Sequence, residues 1–182
     1  MKMNNVFPVE NTSSTTDLLI IGGGMAAAQL IRRLAHYGFQ GSILLAGEES
    51  VAGYNRVLLP HYLASQVSEA DLSNTALHES SAPAISYRLG VRVESLDTAM
   101  RRAELSDGTS VHFGQVVLAM GSAVVKPPAA EQPMPGVMSL RNWADADALQ
   151  DVASRGEPIL FVGGGLLGLE AADAALSTGC PV

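Results

Sequence analysis

Two glycine-rich runs carry the chemistry that this chain can do. The first is Ile20-Ile21-Gly22-Gly23-Gly24-Met25-Ala26-Ala27, and the second is Phe161-Val162-Gly163-Gly164-Gly165-Leu166-Leu167-Gly168-Leu169-Glu170. Each is an apolar strand-like run, then glycines, then an apolar pattern at helical spacing. In such a turn the first glycine permits a tight bend. The second lets the main chain approach a pyrophosphate where any Cβ would collide, and a small third residue lets the helix pack on the strand. Those positions are Gly22, Gly24 and Ala27 in the first run, and Gly163, Gly165 and Gly168 in the second. The pyrophosphate then rests on N–H groups at the positive end of the helix. One such turn is a weak signal for a dinucleotide. Two in one chain predict two dinucleotides, with electrons moving between them.

The elements that must position these turns are legible from the apolar pattern. Leu18 to Ile21 reads as a buried strand, Met25 to Tyr37 as a helix stopped by Gly38, and Ser42 to Ala46 as a second strand. Strand, helix and strand within about 30 residues make a βαβ unit with a right-handed crossover. Residues 50–65 read as an irregular connection with a short helix, and 71–86 as one or two short helices. From Val91 the texture becomes that of an antiparallel meander: Val91 to Val93, Arg102 to Leu105, a turn at Ser106-Asp107-Gly108-Thr109, then Ser110 to Phe113. Val116 to Gly121 is a further buried strand. Four prolines, Pro127, Pro128, Pro133 and Pro135, predict an extended link. Asn142 caps a helix reaching Val152. Pro158 to Val162 reads as the strand that opens a second βαβ, whose helix runs from Leu166 to Ser177 and stops at Gly179. The expected organisation is a tail over 1–16, a first nucleotide-binding domain over 17–125, a link over 126–155 and the start of a second domain over 156–182. The second βαβ lacks its closing strand, so the sequence reads as an N-terminal portion of something longer or as a truncated product.

Bulk properties bound the function. The chain has 182 residues, 47% of them hydrophobic, which is ample for a core. A net charge of −7 excludes a basic nucleic-acid surface. No apolar run is long enough to span a bilayer, and the first residues contain no apolar signal-peptide core. The lone Cys180 makes no internal disulfide, and no metal-ligand spacing is present, so the expected setting is reducing and cytoplasmic. His36, His78 and His112 are scattered and need no role. Trp143 is expected to pack, and Cys180 to carry no chemistry.

Taken in order, the motifs are Gly-x-Gly-x-x-Ala, an acid after the second strand, Tyr-Asn-Arg, a meander, Ala-x-Gly-Ser, a proline-rich link and Gly-x-Gly-x-x-Gly-x-Glu. This set, covering nearly the whole chain from Asp17, resembles the two-dinucleotide flavoprotein reductases of the pyridine-nucleotide-dependent oxidoreductase superfamily. Gly53-Tyr54-Asn55-Arg56-Val57-Leu58-Leu59 is most similar to the flavin module of NAD(P)H-dependent nitrite reductase large subunits, with rubredoxin and ferredoxin reductases close by. The resemblance implies an α/β, Rossmann-like, three-layer FAD-binding fold with a small antiparallel meander, followed by the first βα unit of an NAD(P)H-binding Rossmann domain.

It also implies roles. Gly22 to Ala27 would cradle the FAD pyrophosphate, with the N–H groups of Met25 and Ala26 closest. Gly163, Gly165, Leu166, Leu167 and Gly168 would do the same for NAD(P)H. Glu48, about two dozen residues past the first turn, would accept the hydroxyl hydrogens of the adenine-side ribose, with Glu49 as the alternative. Arg56 would be a flavin- or phosphate-side cation. Val93 would meet the adenine edge through its backbone, Arg141 would contact the flavin, and Ala119, Met120 and Gly121 would run beside the cofactor. Two departures stand out. Met120 replaces the usual threonine, and its thioether is expected to pack there. His61 replaces a lysine that, in the ferredoxin-reductase branch, pairs with the glutamate at Glu170. His61 is either a weaker version of that lysine or a plain loop histidine.

The implied activity is hydride transfer from NAD(P)H to FAD. Electrons then pass to an acceptor, either a small redox protein or a downstream iron–sulfur or sirohaem domain. No side chain is needed as a proton relay, and the absence of a cysteine pair after the second strand removes a thiol relay at that place. As the expected N-terminal portion, these residues would bind FAD poorly and not turn over NAD(P)H alone. The competing reading is a non-catalytic nucleotide-binding or redox-sensing module.

Overall fold

The computed structural model describes residues 13–73, 84–128, 132 and 134–182. They divide into two compact units. One falls within Met1–Gly53 and Ala76–Gly121, and the other within Tyr54–Thr75 and Ser122–Val182.

The first unit is built on one sheet of six strands, β1 (Ser13–Ile21), β2 (Ile43–Gly47), β3 (Ile85–Leu89), β4 (Val93–Asp97), β5 (Arg102–Leu105) and β6 (Ser110–Leu118), in the order β3-β2-β1-β6-β5-β4. Strands β3, β2, β1 and β6 are parallel, whereas β6, β5 and β4 are antiparallel. The central strand β1 is flanked on both sides, which explains why Leu18 to Ile21 are all apolar: both faces are covered. Leu18, Ile20, Ile43 and Leu45 pack on Ala27, Ala28 and Ile31 of helix α1 (Met25–His36). Leu19, Ile21, Leu44 and Ala46 pack instead on Ala103, Leu105, Val111 and Phe113 of the meander. Helix, parallel strands and meander thus form the three expected layers.

Four details differ from the sequence reading. Ser13–Thr16, expected as tail, extend β1 and pair with Ser110–Phe113. Their polar composition hid a strand whose ladder is supplied by β6, and the Thr16 hydroxyl, donating to the carbonyl of Leu18 or Ser42, is satisfied inside. The rest of the expected tail lies outside the described residues. The two strands expected over 110–121 are one, β6, which serves both the parallel strands and the meander. Strand β4 begins at Val93 rather than Val91, after Gly90 turns with φ +72°. Strand β3 starts on Ile85 and Ser86, the last residues read as helical, and runs on to Leu89; it is a half-covered edge, with Ile85 and Leu89 turned to the α1 side. The stretch between Ser73 and Ala84 lies outside the described residues.

The second unit is helical. It holds a 3₁₀ turn (Arg56–Leu58), α2 (Leu59–Leu63), α3 (Glu69–Leu72), α4 (Trp143–Ser154) and α5 (Leu166–Ser177). Reciprocal capping starts α4: Asn142 Oδ1 accepts from the Asp145 N–H at 2.8 Å, and Asp145 Oδ2 from the Asn142 N–H at 3.0 Å. Trp143 packs edge-on against Tyr54 and Tyr62, with centroids at 5.6 and 5.8 Å, as a packing residue should. Tyr54, Leu59, Tyr62, Leu72 and Ala146 complete that core, and Leu63, Leu149 and Ala174 continue it towards α5. Here too Tyr54–Ser73, placed by sequence in the first domain, group with the later segment. The strand expected over 158–162 is not formed. Residues 157–164 form no strand: among the described residues their backbone pairing is a single bond, from the Ile159 N–H to the Pro181 carbonyl at 2.9 Å, and one bond is not a ladder.

Candidate functional site

The two glycine turns have the same backbone. Gly22 has φ +105° and Gly163 φ +124°, bends that side-chain-bearing residues rarely adopt. Gly24 lies at φ −81°, ψ −170° and Gly165 at φ −75°, ψ 167°, and each is the N-cap of a twelve-residue helix. The glycines at the two kinds of position have different causes. A Cβ on Gly22 would lie 2.4 Å from the Ala119 carbonyl oxygen, so the first turn is pressed against the end of β6. Gly24 and Gly165 have ordinary φ values, and a Cβ on either would meet nothing within 4 Å. Among the described residues nothing demands glycine there, and space for an approaching group is what the second fingerprint position requires.

The third positions close the comparison. Ala27 is fully buried against β1 and β2, and a Cβ on Gly168 would lie 2.4 Å from the Gly163 carbonyl oxygen. Neither α1 nor α5 has a side-chain cap or an acid in its first turn. Met25 and Ala26 begin α1, and the exposed Leu166 and Leu167 begin α5, so both helices present uncapped, electropositive ends. The residues fit a pyrophosphate at each turn.

Glu48 follows β2 directly, where the sequence placed it, and its carboxylate pairs with the Arg92 guanidinium. The backbone of Val93 starts β4 in register with Leu105. Ala119 donates its N–H to the Ile21 carbonyl at 2.8 Å, which brings the Ala119-Met120-Gly121 segment beside the first turn. Gly121, at φ +71°, turns the chain there. Met120 is exposed, not packed as expected.

In the second unit the structure brings Arg56 and Arg141 together. The Arg56 guanidinium donates to the Arg141 carbonyl at 3.0 Å and lies 5.1 Å from the Tyr54 ring centroid. The Arg141 fork donates to the Ser122 carbonyl at 2.8 Å and to its hydroxyl at 2.9 Å, and the Arg141 N–H to Asp145 at 2.8 Å. Sequence reading passed over Ser122 and Asp145 as anchors, although Ser122 is the serine of the Ala-x-Gly-Ser motif. His61 and Glu170 are exposed on α2 and α5, which pack together, yet among the described residues no hydrogen bond or ion pair links their side chains. Cys180 is buried, its thiol directed at the Glu157 carbonyl. Among the described residues there is no metal-binding cluster, and no helix is long and apolar enough to cross a membrane.

Comparison with known proteins gives concordant findings. The family profile described as pyridine nucleotide-disulphide oxidoreductase matches residues 16–182. The ferredoxin–NAD(+) reductase component of the biphenyl dioxygenase system of Paraburkholderia xenovorans is 32% identical over 159 residues, covering 87% of this chain and 39% of that protein. Rubredoxin-NAD(+) reductase of Pseudomonas putida is 28% identical over 163 residues, covering 89% and 42%. The chain therefore spans about two fifths of the length of these curated relatives. Among solved structures, the reductase of the covalent putidaredoxin reductase–putidaredoxin complex has the same fold, with a TM-score of 0.77 at 24% identity over 91% of this chain and 40% of that one. So does NADH:rubredoxin oxidoreductase from Clostridium acetobutylicum, with a TM-score of 0.75 at 24% identity over 92% and 43%.

Proposed function

The chain belongs to the pyridine nucleotide-disulphide oxidoreductase family, and on that premise we propose that it works in an FAD-dependent NAD(P)H oxidoreductase. Electrons pass from NAD(P)H through FAD to a small redox protein. The observation that carries this reading is the pair of open glycine positions, Gly24 and Gly165, on two turns of matching backbone angles. Two like cradles are what a protein holding two dinucleotides needs. The names of the relatives favour a small protein acceptor such as a ferredoxin or rubredoxin over nitrite. The proposed setting is the cytoplasm, in keeping with a free buried thiol at Cys180.

The bound flavin supplies hydride acceptance and onward electron transfer. The chain's own residues bind and orient. Gly22 shapes the first bend, Gly24 admits the FAD pyrophosphate, and the N–H groups at the start of α1 neutralise its charge. Glu48 accepts from the ribose hydroxyls, and the Val93 backbone takes the adenine edge. Gly163 to Gly168 with α5 repeat the arrangement for NAD(P)H. Arg56 and Arg141 are assigned to the flavin side, as fixed cations and not as proton carriers.

The test is spectroscopic. FAD is added to the protein at its full natural length, and flavin absorbance is followed as NADH or NADPH is introduced without oxygen. Bleaching supports the reductase. Nucleotide binding by both turns with no bleaching supports a binding module instead.

A further inference from the structure

We infer that Arg92, backed by Ser106, is a positioning residue that fixes the Glu48 carboxylate for the adenine-side ribose; the inference rests on the ribose role proposed for Glu48. The loop carrying Glu48 is held on both sides. The Val91 N–H donates to the Gly47 carbonyl at 3.0 Å, and the Gly90 N–H to the Glu49 carbonyl at 3.0 Å. The backbone of Glu48 is thereby clamped between two bonded neighbours. Gly47 itself abuts the first glycine turn, because a Cβ on it would lie 3.4 Å from the Gly23 nitrogen. The acid is thus tied to the cradle it serves.

The side chain is held as well. Arg92 Nη2 donates to Glu48 Oε1. Arg92 is anchored in turn by Ser106: the Arg92 N–H donates to the Ser106 hydroxyl at 3.0 Å, and the Ser106 N–H to the Arg92 carbonyl at 2.8 Å. The chain of contacts runs Ser106, Arg92, Glu48, across elements that are distant in sequence. A carboxylate has about four acceptor directions on two oxygens, so one arginine leaves Oε2 and part of Oε1 for two hydroxyl groups. Glu48 and Arg92 side chains are 65% and 63% exposed, so the pair adds little to folding. Its effect is to keep the acceptor from wandering before the ribose arrives, which lowers the ordering cost of binding.

The experiment titrates the full chain with ADP and with 2′-deoxy-ADP, which lacks one hydroxyl that Glu48 would hold. Expected for R92Q is an ADP affinity lower by about threefold to fivefold, with 2′-deoxy-ADP much less affected. R92K should recover part of the loss, and S106A should give a smaller loss of the same kind. In E48Q the preference for ADP should collapse, and adding R92Q to E48Q should cost no more. An equal loss for both nucleotides in R92Q, or losses that add in the double variant, overturns the positioning role, because Arg92 then acts on the phosphates as a plain charge. An unchanged preference in E48Q, or no ADP binding by the unsubstituted chain, overturns the ribose reading beneath it.

Discussion

The Ala119 carbonyl oxygen stands 2.4 Å from the place a Cβ on Gly22 would occupy, so the first glycine turn is locked to the end of β6 by contact as well as by its φ of +105°. Gly22→Ala is doubly penalised, by a backbone angle that L-residues avoid and by collision with main chain that cannot swing away. The expected loss is about 3 kcal/mol or more. Urea unfolding should show a lower midpoint with an unchanged slope.

Gly24 predicts the opposite pairing of effects. Its position is an N-cap with extended backbone and open surroundings, so Gly24→Asp should cap α1 and raise stability by about 0.3–1 kcal/mol. The same carboxylate would meet the pyrophosphate, and nucleotide affinity should fall at least about tenfold. Thermal unfolding and ADP titration on one sample check both signs. Weaker folding, or unaltered binding, contradicts the assignment.

Asp17 predicts a pH dependence. The Ser42 N–H donates to its carboxylate at 2.7 Å and the Ser42 hydroxyl at 2.8 Å, and these bonds hold its pKa below the ordinary carboxylate value. A group whose folded pKa is lowered contributes stability that is complete above its unfolded value, about 3.9, and is lost as pH falls through the lower folded value. Asp17→Asn should therefore be less stable at neutral pH and flatter in the acid limb. Acid titrations followed by circular dichroism test this, and parallel curves for the two proteins would count against it.

Tyr62 joins α2 to α4 by donating its hydroxyl to Asp147 Oδ1 at 2.8 Å. Burial is the main cause that pushes its pKa above the ordinary tyrosine value, so the phenol stays protonated and remains a donor. Tyr62→Phe keeps the ring against Trp143 and removes the hydroxyl with its hydrogen bonding, for a loss of about 1 kcal/mol. The folded pKa is raised, so this contribution is full below about 10 and is lost as pH rises through the folded value. The difference between the two proteins in denaturant should shrink in strong alkali.

Much of this was legible in the sequence because it is local. The Asn142 cap, the α1 and α5 boundaries and both glycine turns are set by residues within a few positions of one another. Strand β3 was missed because Ile85-Ser86-Tyr87-Arg88-Leu89 is a one-sided edge with two core positions, too few to stand out from a helical pattern. Ser13–Thr16 were missed because their strand exists only through a partner nearly a hundred residues on. The same limit hid the companions of the site residues. Arg92 is 44 positions from Glu48, and Arg56 is 85 from Arg141. No spacing rule connects such pairs; the topology does.

Strand β6 bonds to β1 along one edge and to β5 along the other. A strand shared in this way has no independent melting point. Exchange of amide hydrogens in the meander and at the first glycine bend should therefore slow and speed up in step, and a solvent or mutation that loosens β5 will be felt at Ala119, where that bend is braced.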